Sequence, residues 1–410
     1  MLLQQKIIPK QVINPINYKN LFFKKHLKFS CANFNSKLKN ILGIRDDIIL
    51  IGRARTGIYL LIKHYLRETK NKIVLVSSFT IPDIINMVVC AGGEPVFIDF
   101  EKKSTNVSLS NLLELIKIKQ PSILLLTHYS INDFNYKEIY KLCLKNNIVL
   151  IEDSAISFAG SSGKVNINSL SNGSIFSFSS FKFINYFYGG ALRSKDPSIF
   201  KNISKEVNGW ERMSFFNYAN KALRTLLYNI FFYDKLYNYL TIYIIRLYIF
   251  FRKEKKKYTN FDISRMDGSY FKRPSLGCIR ELFYKLDNAN LAQERRRRIS
   301  LIYFKYLRKY SIPINVTKER ILNSSCYNYL IYLDNSEKIK KKLLESNFDV
   351  GKIFYENCHD YKFFRNIYGE TRNISDLIDN LIVLPTHYKV TQDYAKRLCL
   401  KLLSIIKNDC

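Results

Sequence analysis

Three runs decide the fold: SILLLT (122–127), NIVLIEDSA (147–155) and SIFSFSSFK (174–182). Each opens on a short apolar stretch rich in β-branched, leucine or phenylalanine residues, as a strand covered on both faces requires. IVLVS (73–77) and PVFID (95–99) have the same character. Helical patterns lie between them. Asn135 and Glu138 have the spacing of a capping box ahead of Ile139, Leu142 and Leu144. The alternation from Lys72 to about Lys195 predicts an α/β domain with a mainly parallel sheet and right-handed crossovers. Ligands of such sheets bind beyond the carboxyl ends of the strands, so residues just after each strand are the candidates for chemistry.

Asp153 ends the second run. A carboxylate there can cap a helix or pair with a ligand's charge, and taken alone the cap is the simpler reading. Lys182 ends the third run, among Phe181, Phe183, Tyr186 and Phe187. An amine in an apolar pocket has a depressed pKa and suits Schiff-base chemistry. In a chain this rich in lysine, an amine that snorkels to solvent is the alternative. Gly189-Gly190 allows close backbone approach or a bulge. An Asp after one strand and a Lys after the next suit pyridoxal phosphate, with Lys for the aldehyde and Asp for the pyridinium nitrogen. That spacing alone is a weak signal.

The chain has 410 residues, enough for one large domain and a smaller one. Lys and Arg number 65 against 34 Asp and Glu, a formal charge of +31 that favours nucleotide phosphates, nucleic acid or anionic lipid. Glycine is scarce (15) while Tyr and Phe are abundant (29 each), so the charge belongs to a general compositional skew and selects none of these partners. No recognisable nucleic-acid-binding motif is present. The eight cysteines include no C-x-x-C pair and the five histidines do not cluster with them, so neither a metal site nor a disulfide framework is expected. Reduced thiols point to the cytoplasm. MLLQQKIIPKQVINPINYKN (1–20) lacks a long apolar core and a small-residue cleavage site, and reads as a poor signal peptide. The apolar region 236–251 is interrupted by Arg246 and short for a bilayer span.

Four regions follow: an N-terminal segment (1–44), a cofactor-binding large domain (45–205), an aromatic and basic helical insert (206–260), and a linking helix with a small α/β domain (261–410). The last carries strand-like YNYLIYL (327–333) and DNLIVLP (379–385), then a helix over 391–407. The insert runs from Leu226 through Tyr239 and Leu247 to Phe250, and ends in the basic run Arg252-Lys253-Glu254-Lys255-Lys256-Lys257. Buried packing or a dimer contact is the favoured reading, and peripheral contact with an anionic membrane at its inner face is the alternative.

Between Gly52 and Ser194 the chain resembles the DegT/DnrJ/StrS family of pyridoxal-phosphate-dependent nucleotide-sugar aminotransferases. The resemblance rests on VLVSSFTIPDIINMVVCAGGEPVFIDFE, LLTHYSINDFNYKEIYKLCLKNNIVLIEDSA and FSFSSFKFINYFYGGALRSKD, in that order. It continues more faintly through RPSLGCIRELFYKLDNANLAQERRRR and IDNLIVLPTHYKV. It implies the aspartate-aminotransferase fold (fold type I), a smaller C-terminal α/β domain and a homodimer with shared active sites. It also implies transfer of an amino group, with glutamate the expected donor, to a nucleotide-linked keto sugar of the kind used in cell-surface polysaccharide.

By position, the resemblance makes Lys182 the Schiff-base lysine and Asp153 the pyridinium partner. Ser177 becomes a phosphate ligand and Ala155 a ring-packing residue. The phosphate loop falls on Arg53-Ala54-Arg55-Thr56 at a helix start, where the N–H groups suit a phosphate. Arg55 reads there as an added charge or as a surface arginine. His128 reads as the family's cofactor-side histidine or as a satisfied strand-end histidine, and His387 as a structural residue at a domain junction. Three positions depart from the family pattern: Ile81 where an aromatic ring is usual, Ile156 where Gln or His contacts the ring hydroxyl, and the phosphate loop itself. A binding or regulatory protein with a decayed site is the rival to an enzyme.

Overall fold

The computed structural model describes residues 7–10, 30–129, 131, 135–158, 161–162, 165–182, 184–186, 188–233, 236–244, 247, 265–310, 314, 316–351 and 355–409. The basic run 252–257, Arg246, Phe250, Phe183 and Phe187 lie outside them.

The strands are β1 (Ile48–Ile51), β2 (Ile73–Ser77), β3 (Phe79–Thr80), β4 (Glu94–Ile98), β5 (Ile123–Thr127) and β6 (Val149–Asp153), then β7 (Ser161–Ser162), β8 (Val165–Asn166), β9 (Gly173–Ser177), β10 (Gly190–Ser194), β11 (Asn328–Tyr332), β12 (Glu356–Asn357) and β13 (Leu381–Pro385). Seven of them form one sheet in the order β1-β10-β9-β6-β5-β2-β4. The steps β9-β6-β5-β2-β4 are parallel. β10 runs antiparallel to β9 and to β1. The expected mainly parallel α/β sheet is present. At this edge the link from Ser177 to Gly190 carries the Lys182 turn and returns the chain antiparallel to β9.

The helices of nine residues or more are α1 (Cys31–Leu42), α2 (Ala54–Leu66), α3 (Pro82–Cys90), α4 (Leu109–Lys119), α5 (Tyr136–Lys145) and α6 (Pro197–Asn208). They continue as α7 (Phe215–Phe231), α8 (Leu276–Leu286), α9 (Ala289–Leu307), α10 (Ser336–Glu345), α11 (Arg372–Asn380) and α12 (Gln392–Asp409). Asn135 stands at the N-cap of α5, but its side chain does not close the cap bond that the spacing suggests. Alternate residues of each strand face opposite sides. Ile123, Leu125, Ile151 and Ile175 pack beneath α2, α3 and α6. Leu124, Leu126 and Leu150 pack against α4 and α5. Phe176 of β9 and Phe178 just after it meet α1 and α8. The C-terminal β11 and β13 pair antiparallel and share a core with α9, α10 and α12.

The insert divides its residues. Thr225 is buried, and Ala222 and Tyr228 pack on the α1–α8 layer. The opposite face of α7 is open to solvent, so burial within the chain accounts for one side of this helix only. After a turn at Phe232-Tyr233, Tyr237–Thr241 form one π-helical turn.

Candidate active site

The parallel strands β5, β6 and β9 all end at one edge, so Thr127, Asp153 and Ser177 arrive there together. In register, Thr127 faces Asp153 across β5–β6 and Ser177 faces Gly190 across β9–β10. The N-terminus of α2 comes to the same edge. An added Cβ on Gly190 lies 2.7 Å from the Ala54 backbone nitrogen, which only glycine accommodates. Gly189, with φ +151, turns the chain into β10. Arg53 stands at the N-cap of α2 and makes no side-chain cap bond. The first-turn N–H groups therefore lack a side-chain acceptor, and an anion suits them.

Asp153 is buried. Burial drives its pKa up, while the Ala155 N–H (3.0 Å to Oδ1) and the charges of Lys182 and His128 oppose the rise. Lys182 follows on the turn after β9, closed by its N–H to the Ser179 carbonyl at 2.9 Å. The side chain keeps some solvent contact. Burial is still the main influence on its amine and lowers it to about 8; Asp153 pulls it up and Arg55 pushes it down. The two chain-distant groups thus feel each other's charge.

The other predicted residues are placed as follows. Ser177 Oγ donates to Ser179 Oγ at 3.4 Å. Arg55 is ion-paired with Asp83 of α3 and still acts on the Lys182 amine. His128 is buried, and its Nε2–H donates to Glu152 Oε1 at 2.6 Å. Burial pushes the Glu152 pKa up, but the His128 bond and the Arg193 charge outweigh it and hold the carboxyl low. Ile156 is buried in an apolar cluster. Ile81 caps α3 and packs on the main core.

Three residues here carry no sequence signal. Glu152 lies next to Asp153 but points to the other sheet face, where it fixes His128. Lys285 of α8 donates to both the backbone and side-chain oxygens of Asn185 at 2.8 Å, bracing the loop that follows Lys182. Tyr355 stacks edge-on against Phe79 and Tyr129 beside Asp153, whose charge adds to burial in raising its hydroxyl pKa. Lys285 and Tyr355 come from distant segments, and the role of Glu152 depends on the sheet register, so only the fold brings the three in.

A mostly buried amine with lowered pKa, a buried carboxylate beside it and an uncapped helix start are the groups that pyridoxal phosphate needs. Thr127 Oγ1 at the end of β5 and Thr80 Oγ1 on β3 are buried without a hydrogen-bond partner. The residues present fit the cofactor.

Comparison with known proteins agrees. The chain is 24% identical over 192 residues to the dTDP-4-dehydro-2,3,6-trideoxy-D-glucose 4-aminotransferase of Saccharopolyspora spinosa, covering 47% of this chain and half the length of that enzyme. It is 24% identical to the UDP-4-amino-4,6-dideoxy-N-acetyl-beta-L-altrosamine transaminase of Campylobacter jejuni, over 91% of this chain and 89% of that one. In structure it is similar to PseC of Helicobacter pylori, an aminotransferase involved in the biosynthesis of pseudoaminic acid: the TM-score is 0.73 at 16% identity, over 98% of this chain and all of that one. The profile of the DegT/DnrJ/EryC1/StrS aminotransferase family matches residues 30–224 and 282–403. With most of its length inside that match, the chain belongs to this family of aminotransferases, whose cofactor is pyridoxal 5′-phosphate.

Proposed function

We propose that the chain transfers an amino group from an amino-acid donor, expected to be glutamate, to the keto carbon of a nucleotide-linked sugar. The observation that carries this is the Lys182–Asp153 pair, an amine poised near neutrality beside a buried carboxylate at the strand ends. When bound, pyridoxal phosphate supplies the electron sink that lets a carbon-bound proton leave. Asp153 would hold a proton at the ring nitrogen. Lys182 would anchor the aldehyde carbon and then, with an amine titrating near 8, take and return the proton at the reacting carbon. Ser177 and the N–H groups from Ala54 onward would hold the phosphate, with Arg55 adding charge from its Asp83 pair. Ala155 would pack on the ring. His128, clamped by Glu152, would act through Asp153 rather than by touching the ring.

The proposal extends to a cytoplasmic homodimer that serves cell-surface polysaccharide or related sugar synthesis, with the outer face of the insert available for peripheral contact with an anionic membrane. A binding protein with a decayed site is the second reading, favoured by Ile156, which offers the ring hydroxyl no hydrogen bond. The discriminating experiment combines added pyridoxal phosphate, borohydride reduction and peptide mapping with an amino-transfer assay. The assay uses glutamate and a nucleotide-linked 4-keto-6-deoxy sugar. A pyridoxyl group fixed on Lys182 and amino-sugar formation support the enzyme. Folded protein that fixes no label supports the binding protein.

A further inference from the structure

Two faces of α7 behave differently. Leu223, Leu226, Leu227 and Ile230 recur at i, i+3, i+4 and i+7 and form a stripe open to solvent. The opposite face carries Tyr228, and an aromatic column runs from it in both directions. Toward the large sheet, the Tyr228 ring meets Phe181 edge-on with centroids 5.1 Å apart. Phe181 is the residue before Lys182. In the other direction Phe232 stacks on Tyr228 at 4.1 Å, and Tyr237 stacks on Phe232 at 5.4 Å. The column ends on Asp349, which lies between Phe348 and Val350 of the β11–β13 core. The Tyr237 hydroxyl donates to Asp349 Oδ2 at 2.5 Å, and the Lys10 N–H donates to the same oxygen at 3.0 Å. Lys389 Nζ donates to the Phe232 carbonyl at 2.9 Å. The Ile7 N–H donates to Asn238 Oδ1 at 2.6 Å, and Asn238 Nδ2 donates back to the Ile7 carbonyl at 3.1 Å.

We propose that this column positions Lys182, carrying the hold of the C-terminal core through α7 to the turn that bears the amine. The inference deepens the aminotransferase reading and rests on the assignment of Lys182 made there. Phe181 is gripped twice from outside its own sheet, at its ring by Tyr228 and at its carbonyl by the Tyr327 hydroxyl. The Tyr327 carbonyl in turn accepts from Arg296 Nη1 at 2.8 Å and from Thr386 Oγ1 at 2.7 Å. Further along the loop, Asn185 Nδ2 donates to the Ser180 carbonyl at 2.7 Å, and Lys285 holds Asn185. Lys285 thus braces the loop at Asn185, and the column braces it at Phe181. An amine that must anchor an aldehyde carbon and then reach the proton beside it needs a backbone fixed to a fraction of an ångström. Tyr228 and Phe232 are positioning residues in this scheme, acting through Phe181. Burial is the main influence on the Lys182 amine, so a loosened turn that admits water moves its titration upward. Tyr228, Phe232 and Tyr237 all lie between the family-matched blocks 30–224 and 282–403, so the column is built by the aromatic insert and not by the matched body.

Reductive methylation of Lys182 in the full apo chain, read by peptide mass across pH, tests the proposal without the cofactor. Tyr228→Leu keeps the helix and removes the ring. Its Lys182 midpoint should lie at least about 0.5 pH units above that of wild type. Pyridoxal phosphate should form its borohydride-fixable link to Lys182 at least about threefold more slowly in the same variant. Tyr228→Phe keeps the ring contacts and should match wild type. Phe232→Leu should move the midpoint the same way by less. Asp153 and Arg55, the charges that act on the amine, are untouched in every variant, so a moved midpoint reports enclosure. Leu227→Gln on the outer stripe is the control and should label as wild type, as should Lys63, ion-paired with Glu206, in all variants. Folded Tyr228→Leu with the wild-type midpoint overturns the proposal, as does an equal shift in Tyr228→Phe. Where Tyr228→Leu does not fold, Phe232→Leu with the wild-type midpoint overturns it. Wild type that fixes no pyridoxyl group on Lys182 refutes the aminotransferase reading instead, and the methylation midpoints still decide the column.

Discussion

Replacing Lys182 with methionine removes an amine that the folded protein holds in the wrong charge state for stability. In the unfolded chain the amine titrates at its ordinary 10.5, and in the folded chain at about 8. Between these values the unfolded state binds more protons, so wild-type stability rises with pH across this window, and below it the folded protein carries the full cost of the charge. The difference between the two values sets a ceiling of about 3 kcal/mol. Residual solvent contact and the loss of a counter-charge for Asp153 reduce it to about 1–2 kcal/mol. Apo Lys182→Met should therefore be more stable than apo wild type at pH 7, by about 1–3 °C in melting temperature for a chain of this size. The gap should fall to less than half by about pH 9.5, as the wild-type amine loses its proton. Paired thermal melts at the two pH values provide the assay, with loss of amino transfer as the parallel activity readout. A variant less stable than wild type at pH 7, or a gap independent of pH, would refute the assignment of Lys182 to an enclosed, charge-penalised site.

Three further outcomes follow from the same geometry. Asp153→Asn should cut amino transfer at least about a hundredfold. It should also lower the Lys182 amine below its wild-type value, because the Asp153 charge holds that value up; reductive methylation of Lys182 against pH reads this directly. Gly190→Ala sets a Cβ against the Ala54 backbone and should cost about 1–3 kcal/mol, with weaker pyridoxal phosphate binding in equilibrium dialysis. His387 is buried, and its Nε2–H donates to the Pro9 carbonyl at 2.7 Å. Burial lowers its pKa to about 3, so the stability of its neutral form is lost as pH falls from about 6.5 toward 3. The unfolding free energy from urea titrations should drop by about 2 kcal/mol between pH 7 and 5, and His387→Asn should flatten that slope.

The site was legible where its residues follow strands directly. Asp153, Ser177 and Lys182 each lie at or within a few residues of a strand end, and parallel strands must deliver their ends to one edge. The paired glycines were legible as a close approach, though not what they approach; Ala54 lies more than a hundred residues earlier. His128 was ambiguous because the same strand-end position can face either side of the sheet. The register settles it, setting Leu126 and Glu152 on one face and Thr127 and Asp153 on the other. Arg55 was open for a similar reason, since its ion pair with Asp83 depends on how α2 packs against α3.

By itself, the sequence determined the α/β alternation and the strand ends where the proposed site lies, because periodicity and short-range spacing are local properties of the chain; the family was legible only as a resemblance of motifs that recur in order. Tertiary structure decided which partners those groups meet: Glu152 for His128, Lys285 for the loop after Lys182, Tyr355 beside Asp153 and Pro9 for His387. It also decided that the stripe on α7 faces outward. An i, i+3, i+4, i+7 pattern states which residues share a face. Only the packing of Thr225 and Tyr228 on the other side states where that face points.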